Sequence, residues 1–433
     1  MKIKKKLKIF LNSLFYFSYI DRNIINLIIP LINISNKRVK DKLNDIIIDI
    51  SNFDITFSLN IFSKDEILFL LENCILICSF DGLTSNELLE INKVFRKYDI
   101  SEDEITNLCL VINQELNIVD VQSRISLLIN FVNGYIFYIQ NGYTPYEAYV
   151  SMRLLFYITN TRFNNIVALI NSYISNKYFF ENEIHSEFFG ILSKDKIKKI
   201  SEELYINGYY LLGYINENEI EKIKKILLSS SFKYRNNNDV IKDIETNDYI
   251  NQEIIKKILF DDVLIAISQN YIGSIPVLEG PISWITYYKN GIPFSDAAQL
   301  FHCDMDRLRQ LKLFIMITDV DSESGPHVFV KNSHKKLPFS LLRDGRYSDQ
   351  EVYSQYNKND IIEFCLKKGA VLLEDTRGLH KGMEIKNKSK NRIIFQICYS
   401  MNLFGQNYDK FNLKIENCIL KYKESCKSFR FFS

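Results

Sequence analysis

The sequence has almost no net charge: 54 Lys and Arg against 52 Asp and Glu leave a formal +2 over 433 residues. No basic field is available to draw in a polyanion, which argues against nucleic acid as a partner. Tyr and Phe are plentiful, at 26 and 31. Without a basic stripe beside them they read as core, not as a base-stacking surface. There is no C-x-x-C among the eight cysteines. Cys74 and Cys78 lie four apart in an apolar run, with no Cys or His pair at ligand spacing nearby, so a zinc site is not expected there. Cys74 and Cys78 read as buried free thiols, a usage that fits a reducing cytoplasm. The sequence has no convincing fixed-period repeat. The N-terminus lacks the full pattern of a secretory signal. Lys2, Lys4, Lys5, Lys6 and Lys8 precede an apolar stretch from Ile9 to Ile20, but Asn12 and Ser13 interrupt it. No A-x-A-like cleavage site follows, Asp21-Arg22 ends the stretch, and it is too short to span a bilayer. Residues 1–20 read instead as a basic amphipathic helix that rests on a membrane surface or on the protein's own core.

A chain of 433 residues is too long for one ordinary core, so two domains are expected. Residues 1–185 read as an all-α domain. Four Ser/Thr-x-x-Glu capping boxes open amphipathic runs: Ser63 with Glu66, Thr84 with Glu87, Ser101 with Glu104, and Thr144 with Glu147. Pro145 would occupy the first helical position of the fourth, where its missing N–H costs nothing. From about residue 190 the pattern becomes helix, short strand, helix, with Asn216 and Glu219 capping the second helix. The polar segment 228–250 reads as a mobile loop. From about Val277 onward, strand-like runs dominate: WITYYK, LKLFIMITDV, HVFVK, AVLLED and RIIFQICYS. The expected fold class is therefore α+β, with a helical domain at 1–185 and a β-rich domain with flanking helices at 186–433.

Histidine is scarce, and its placement is informative. Of five histidines, four lie between 302 and 380. His302 and Asp304 form H-x-D in QLFHCDMD; residues i and i+2 of an extended segment face the same side and can meet one ion. His380 follows 78 residues after His302, at the end of AVLLEDTRGLH. Two imidazoles and one carboxylate on one face of an octahedral ion leave three positions open, which is the facial triad of non-haem iron(II) oxygenases. Arg392 stands 12 residues past His380, at the head of RIIFQICYS. If its strand pairs beside that of His380, a planar guanidinium enters the same cavity, suited to bidentate capture of a carboxylate.

These residues carry a resemblance. The span from about 193 to 405 resembles the phytanoyl-CoA dioxygenase family. It begins at ELYINGYYLLGYINENEIEKIKK, continues through FHCDMD and LKLFIMITDVDSESGPHVFVKNSHKK, and ends with KGAVLLEDTRGLHKG and NRIIF. Lys331-Asn332 stands where Pro-Gly is usual in the family. The resemblance implies a double-stranded β-helix, a jelly-roll of the cupin-like kind. It implies His302, Asp304 and His380 as iron(II) ligands, Arg392 as the anchor of the distal carboxylate of 2-oxoglutarate, and Trp284 and Phe314 as side chains against that cosubstrate. O2 is the implied oxidant, with ascorbate as reductant. The implied reaction hydroxylates a C–H bond and releases succinate and CO2. Related halogenases carry a small residue in place of the carboxylate, so an intact Asp304 favours hydroxylation. The substrate class stays open among a small molecule, a lipid and a carrier-bound intermediate. His327, in S-G-P-H, reads as structural more than as part of a substrate mouth; His334 resembles a fold- or rim-supporting family histidine, and His185 reads as a surface residue. The competing expectation is a non-catalytic binding or regulatory protein whose helical half mediates partner or membrane-surface contacts.

Overall fold

The computed structural model describes residues 62–235, 240–289, 298–414, 416 and 420–432. The basic N-terminal segment 1–20 lies outside the described residues. The chain divides into two compact units: Met1–Ser175 with Leu342–Asp344 and Phe404–Gln406, and the remainder.

In the first unit the described residues form the helices α1 (Lys64–Ser79), α2 (Ser85–Phe95), α3 (Glu102–Leu116), α4 (Val121–Asn141), α5 (Tyr146–Ile158) and α6 (Arg162–Ile174). Ser63, Thr84 and Ser101 each close a reciprocal capping box with the Glu three residues on, satisfying two otherwise free backbone donors per helix. The fourth expected box does not form. Pro145 is extended, with φ −58° and ψ 143°, and is itself the N-cap of α5. Glu147 then stands at the second helical position and cannot reach back to Thr144. The Thr144 hydroxyl instead accepts the Gly405 backbone N–H at 2.9 Å. Cys74, Cys78 and Cys109 are buried free thiols. Among the described residues no helix is long and apolar enough to cross a membrane.

The second unit begins with a hairpin of β1 (Glu183–Ser186) and β2 (Gly190–Ser193), then α7 (Lys194–Asn207), β3 (Tyr209–Tyr214) and α8 (Glu217–Ser229). The Asn216 side chain caps α8 by accepting the Glu219 backbone N–H at 3.0 Å. The segment expected as a loop instead carries two short strands, β4 (Phe232–Tyr234) and β5 (Ile241–Ile244). Their reading failed because they are three and four residues long, Phe-Lys-Tyr and Ile-Lys-Asp-Ile, too short to show a period within a polar segment. Helices α9 (Glu253–Leu259) and α10 (Asp262–Ile272) lead into β6 (Val277–Tyr287), β7 (Gln310–Met316), β8 (His327–Val330), β9 (Ile361–Phe364), β10 (Ala370–Glu374), β11 (His380–Gly382) and β12 (Asn391–Ser400). A seven-stranded antiparallel sheet runs β3-β10-β7-β12-β6-β5-β4, and a three-stranded one runs β11-β8-β9. Its central strands β10 and β12 are nearly continuously buried, as strands covered on both faces must be. One core cluster joins Phe314 and Met316 of β7, Leu372 of β10 and Ile394 of β12 to Phe329 of β8 and Phe364 of β9. The two sheets therefore pack against each other across this cluster.

The Lys331-Asn332 pair fits the turn it occupies. The Lys331 N–H donates to the Asp360 carbonyl at 2.7 Å, a bond that proline could not make. Asn332 adopts φ +65°, in the left-handed region that Asn tolerates better than most residues.

In the first unit α4 and α5 meet at Gly134, where an added Cβ would lie 2.0 Å from the Ala148 Cβ. Alanine at 134 would gain about 1 kcal/mol of helix propensity, but the helices would have to separate, at about 1–3 kcal/mol. Gly134→Ala is expected to lower or at best preserve stability in chemical denaturation, and a gain of the full propensity term would disprove this close packing.

Candidate functional site

The site is built on backbone. His302, in the segment between β6 and β7, and His380, at the start of β11, form a reciprocal bridge in which each N–H donates to the other's carbonyl at 3.0 Å. The Asp304 N–H donates to the Thr376 carbonyl at 2.7 Å, so its position two residues on is fixed as well. The side chains of His302, Asp304 and His380 converge: one ligand atom from each lies within 4.8 Å of the others. His302 Nε2 is 3.5 Å from Asp304 Oδ1, and His380 Nε2 is 3.3 Å from Asp304 Oδ2.

Both imidazoles are aimed by their own chain. His302 Nδ1 is 2.9 Å from the Leu300 carbonyl, and His380 Nδ1 is 2.9 Å from the Gly378 carbonyl. A carbonyl can only accept, so each Nδ1 carries a proton and each Nε2 is turned towards Asp304. That is the tautomer and orientation in which imidazole binds a metal. Burial and the neighbouring His380 hold His302 well below the ordinary histidine value, in the neutral form a cation requires. Burial opposes ionisation of Asp304, but the Lys312 ammonium and the two imidazoles hold its carboxyl well below the usual range. Lys312 Nζ donates to Asp304 Oδ2 at 2.6 Å and lies 3.5 Å from Asp306 Oδ2. The three residues could thus hold a metal ion, with one carboxylate oxygen already oriented by a buried lysine.

Arg392 reaches the same cavity by a different route from the one expected. Its strand β12 does not pair beside β11; it lies between β7 and β6 in the large sheet, while β11 edges the small one. The guanidinium crosses the space between the sheets because Gly382, two residues past His380, leaves room: a Cβ there would stand 2.9 Å from Arg392 Nη2. Arg392 is 4% exposed, and its Nε and Nη1 are buried without any hydrogen-bond partner. Burial alone pushes its pKa down to about 10. An uncompensated buried cation is costly, so the cavity is short of one anion at this end.

The cavity has a volume of about 260 Å³ and is lined by the three convergent side chains together with Arg392, Phe314 and Trp284. Alternation along β12 turns Ile394 and Gln396 to the same face as Arg392, and both also line it. Trp284 is half-buried, with the Arg235 guanidinium 5.4 Å from its ring centre. His327, which the sequence suggested as structural, stands on the cavity wall with Nε2 2.8 Å from Glu374 Oε2. His334 is buried away from the cavity, with Nε2 2.9 Å from the Tyr205 carbonyl, and His185 is exposed on β1. Sequence reasoning missed Lys312 as the partner of Asp304, and missed Glu374 altogether. An isolated Lys or Glu in an apolar strand was the available signal, since a charge at a position the alternation buries demands a partner.

Residues 217–393 match the family model described as phytanoyl-CoA dioxygenase. Among solved structures, the chain is similar to HygX from Streptomyces hygroscopicus with nickel, 2-oxoglutarate and hygromycin B bound, at 12% identity over 51% of this chain and 91% of that one, TM-score 0.39. It is also similar to the non-haem α-ketoglutarate-dependent carbocyclase SnoK from nogalamycin biosynthesis, at 15% identity over 48% and 84%, TM-score 0.38. The epimerase SnoN of the same biosynthesis, in complex with Fe3+, α-ketoglutarate and nogalamycin RO, matches at 16% over 47% and 83%, TM-score 0.35. No curated protein matches the sequence.

If the triad is a metal site, removing one imidazole should exceed the 10–100-fold that outer-sphere changes cost. Titration calorimetry with Mn(II) is expected to give one site in the wild type and at least about 100-fold weaker binding in His302→Ala. Equal affinities would refute the assignment.

Proposed function

Residues 217–393 of this chain belong to the phytanoyl-CoA dioxygenase family, and from that premise we propose that the chain is an iron(II), 2-oxoglutarate-dependent dioxygenase. The two sheets that pack across the Phe314–Phe329 core are, in this reading, the halves of a double-stranded β-helix, and residues 186–433 are the catalytic domain. His302, Asp304 and His380 are the iron ligands. The observation that carries the proposal is the buried, unpartnered guanidinium of Arg392 in the cavity onto which that triad opens. A metal triad alone would suit many hydrolases or oxygenases. A triad together with an orphaned cation fits one ligand that has a metal-chelating keto-acid at one end and a carboxylate at the other.

When bound, iron and 2-oxoglutarate supply the oxidation: R–H, O2 and 2-oxoglutarate become R–OH, succinate and CO2. The chain's own residues orient and enclose these partners. Arg392 takes the distal carboxylate in a bidentate grip, replacing lost hydration. Phe314 on β7 and Ile394 on β12, diagonal neighbours on one face, cover the methylenes and exclude water, while Trp284 forms the wall towards β5. Lys312 holds Oδ2 of Asp304 and leaves Oδ1 for the ion. An intact carboxylate at 304 fills the position a halide would need, which favours hydroxylation. Small-molecule, lipid and carrier-bound substrates all fit this reading.

Purified protein with iron(II), 2-oxoglutarate, O2 and ascorbate is expected to release succinate slowly even without a substrate. Loss of a bidentate charged contact is worth about 1.5–3 kcal/mol per hydrogen bond, so Arg392→Leu should raise the half-saturating 2-oxoglutarate concentration by about tenfold or more. Absence of succinate together with absence of 2-oxoglutarate binding would sink the proposal.

A further inference from the structure

One polar side chain of the cavity has no part in the reading above. Gln396, on β12, is 7% exposed and lines the cavity. Its amide has no hydrogen-bond partner among the described residues. What surface the side chain keeps opens onto the cavity. A buried amide left without a partner costs free energy, so stability alone does not account for a glutamine at this position.

The register shows what stands beside it. Alternation along β12 sets Arg392, Ile394 and Gln396 in a row on the cavity face. Gln396 pairs with Phe314 on β7 and with Ile282 on β6, and both of these also line the cavity. The neighbour of Phe314 on the same face of β7 is Lys312, which pairs with Cys398 and donates to Asp304 Oδ2 at 2.6 Å. Arg392 therefore marks one end of the row, and Gln396 marks the end nearer the triad.

The row matches 2-oxoglutarate in order and in length. A guanidinium, an aliphatic side chain and an amide face, in turn, a carboxylate, two methylenes and a keto-acid. Residues four apart on a strand are separated by about 13 Å. An extended 2-oxoglutarate with one hydrogen bond of about 2.9 Å at each end covers about the same span. The amide N–H donates whatever the pH, and it brings no charge of its own to a place that already holds Lys312 and Asp304.

We propose that Gln396 donates a hydrogen bond to the keto-acid end of 2-oxoglutarate, so that one face of β12 holds the cosubstrate at both ends. This rests on the oxygenase reading of the same cavity. A ligand with a carboxylate at each end could enter in either sense. A charged fork at one end, and a neutral amide beside the metal ligands at the other, admit only one.

The test is calorimetric binding of 2-oxoglutarate to the full chain loaded with Mn(II), which binds the cosubstrate without turnover. Gln396→Met keeps an unbranched side chain of nearly the same length and removes the donor. It is expected to weaken 2-oxoglutarate by about tenfold or more, while Mn(II) affinity, read by electron paramagnetic resonance titration, stays at the wild-type value. The visible charge-transfer band of the anaerobic Fe(II)–2-oxoglutarate complex is the second readout, because it reports on the chelating keto-acid. Gln396→Met is expected to move that band to higher energy, and Arg392→Leu, at the other end, to leave it in place. Wild-type 2-oxoglutarate affinity in Gln396→Met would overturn the proposal and turn the amide over to the substrate. A parallel loss of Mn(II) affinity, or an unmoved band, would overturn it as well. A wild-type protein that binds Mn(II) but no 2-oxoglutarate would remove the oxygenase reading itself, a different result from any of these.

Discussion

The arrangement of this site depends on two backbone hydrogen bonds, the reciprocal pair between His302 and His380. They join segments 78 residues apart and so set the separation of the two imidazoles before any ligand arrives. The rest of the triad follows from the same bridge. Asp304 is tied to Thr376 on the approach to β11, and Gln310 secures both by donating to the Asp304 carbonyl at 3.2 Å and to the Thr376 hydroxyl at 3.1 Å. Closing so long a loop has a small logarithmic entropic cost, which the buried β7–β12–β10 core offsets many times over. Side-chain rotamers then have little left to decide, because both Nδ1 atoms are bonded to the chain two residues back.

A second constraint is electrostatic. The cavity of the second unit brings together Lys312, Asp304, Arg392 and three histidines, with Glu374 beside His327, against an aromatic and aliphatic core. Glu374 and Lys312 are even direct cross-strand partners on β10 and β7. Yet Lys312 turns to Asp304 and Glu374 turns to His327. The two carboxyls are shifted in opposite directions, Asp304 well below the usual range and Glu374 up to about 8. Lys312 sets the first shift through its positive charge, and desolvation sets the second. Of these groups, Arg392 alone keeps two buried nitrogens, Nε and Nη1, without a hydrogen-bond partner among the described residues, so the cavity is incomplete in a chemically specific way.

How much of this the sequence disclosed depended on whether partners were near in the chain. H-x-D was legible because two residues of an extended segment face one side whatever the fold. Three capping boxes were legible because they are local, and the fourth misled because Pro145 takes the cap position itself. Arg392 was found, but by way of a strand pairing that does not occur; the guanidinium crosses between sheets through the space at Gly382. The His327–Glu374 pair spans 47 residues and two sheets, so neither residue pointed to the other. Strands β4 and β5 were illegible for a different reason: at three and four residues they are too short for alternation to stand out from the polar segment around them.

The helical unit stands apart from this chemistry. Every described residue that lines the cavity belongs to the second unit. One buried charge of the helical unit is answered within it: Arg162 meets Glu115 at 2.5 Å and Glu72 at 3.4 Å, and Asn160 donates to Glu115 at 2.9 Å. That cluster follows a turn in which Asn160 and Thr161 adopt φ +45° and +73°, and a β-branched residue in the left-handed region is strained by of order 1–3 kcal/mol. A network that ties Arg162 to two carboxylates can hold such a turn in place. In the second unit the comparable guanidinium, that of Arg392, has no carboxylate partner among the described residues. The contrast separates a buried arginine that serves structure from one that waits for a ligand, and it rests on counted partners, since both side chains are buried to a similar degree.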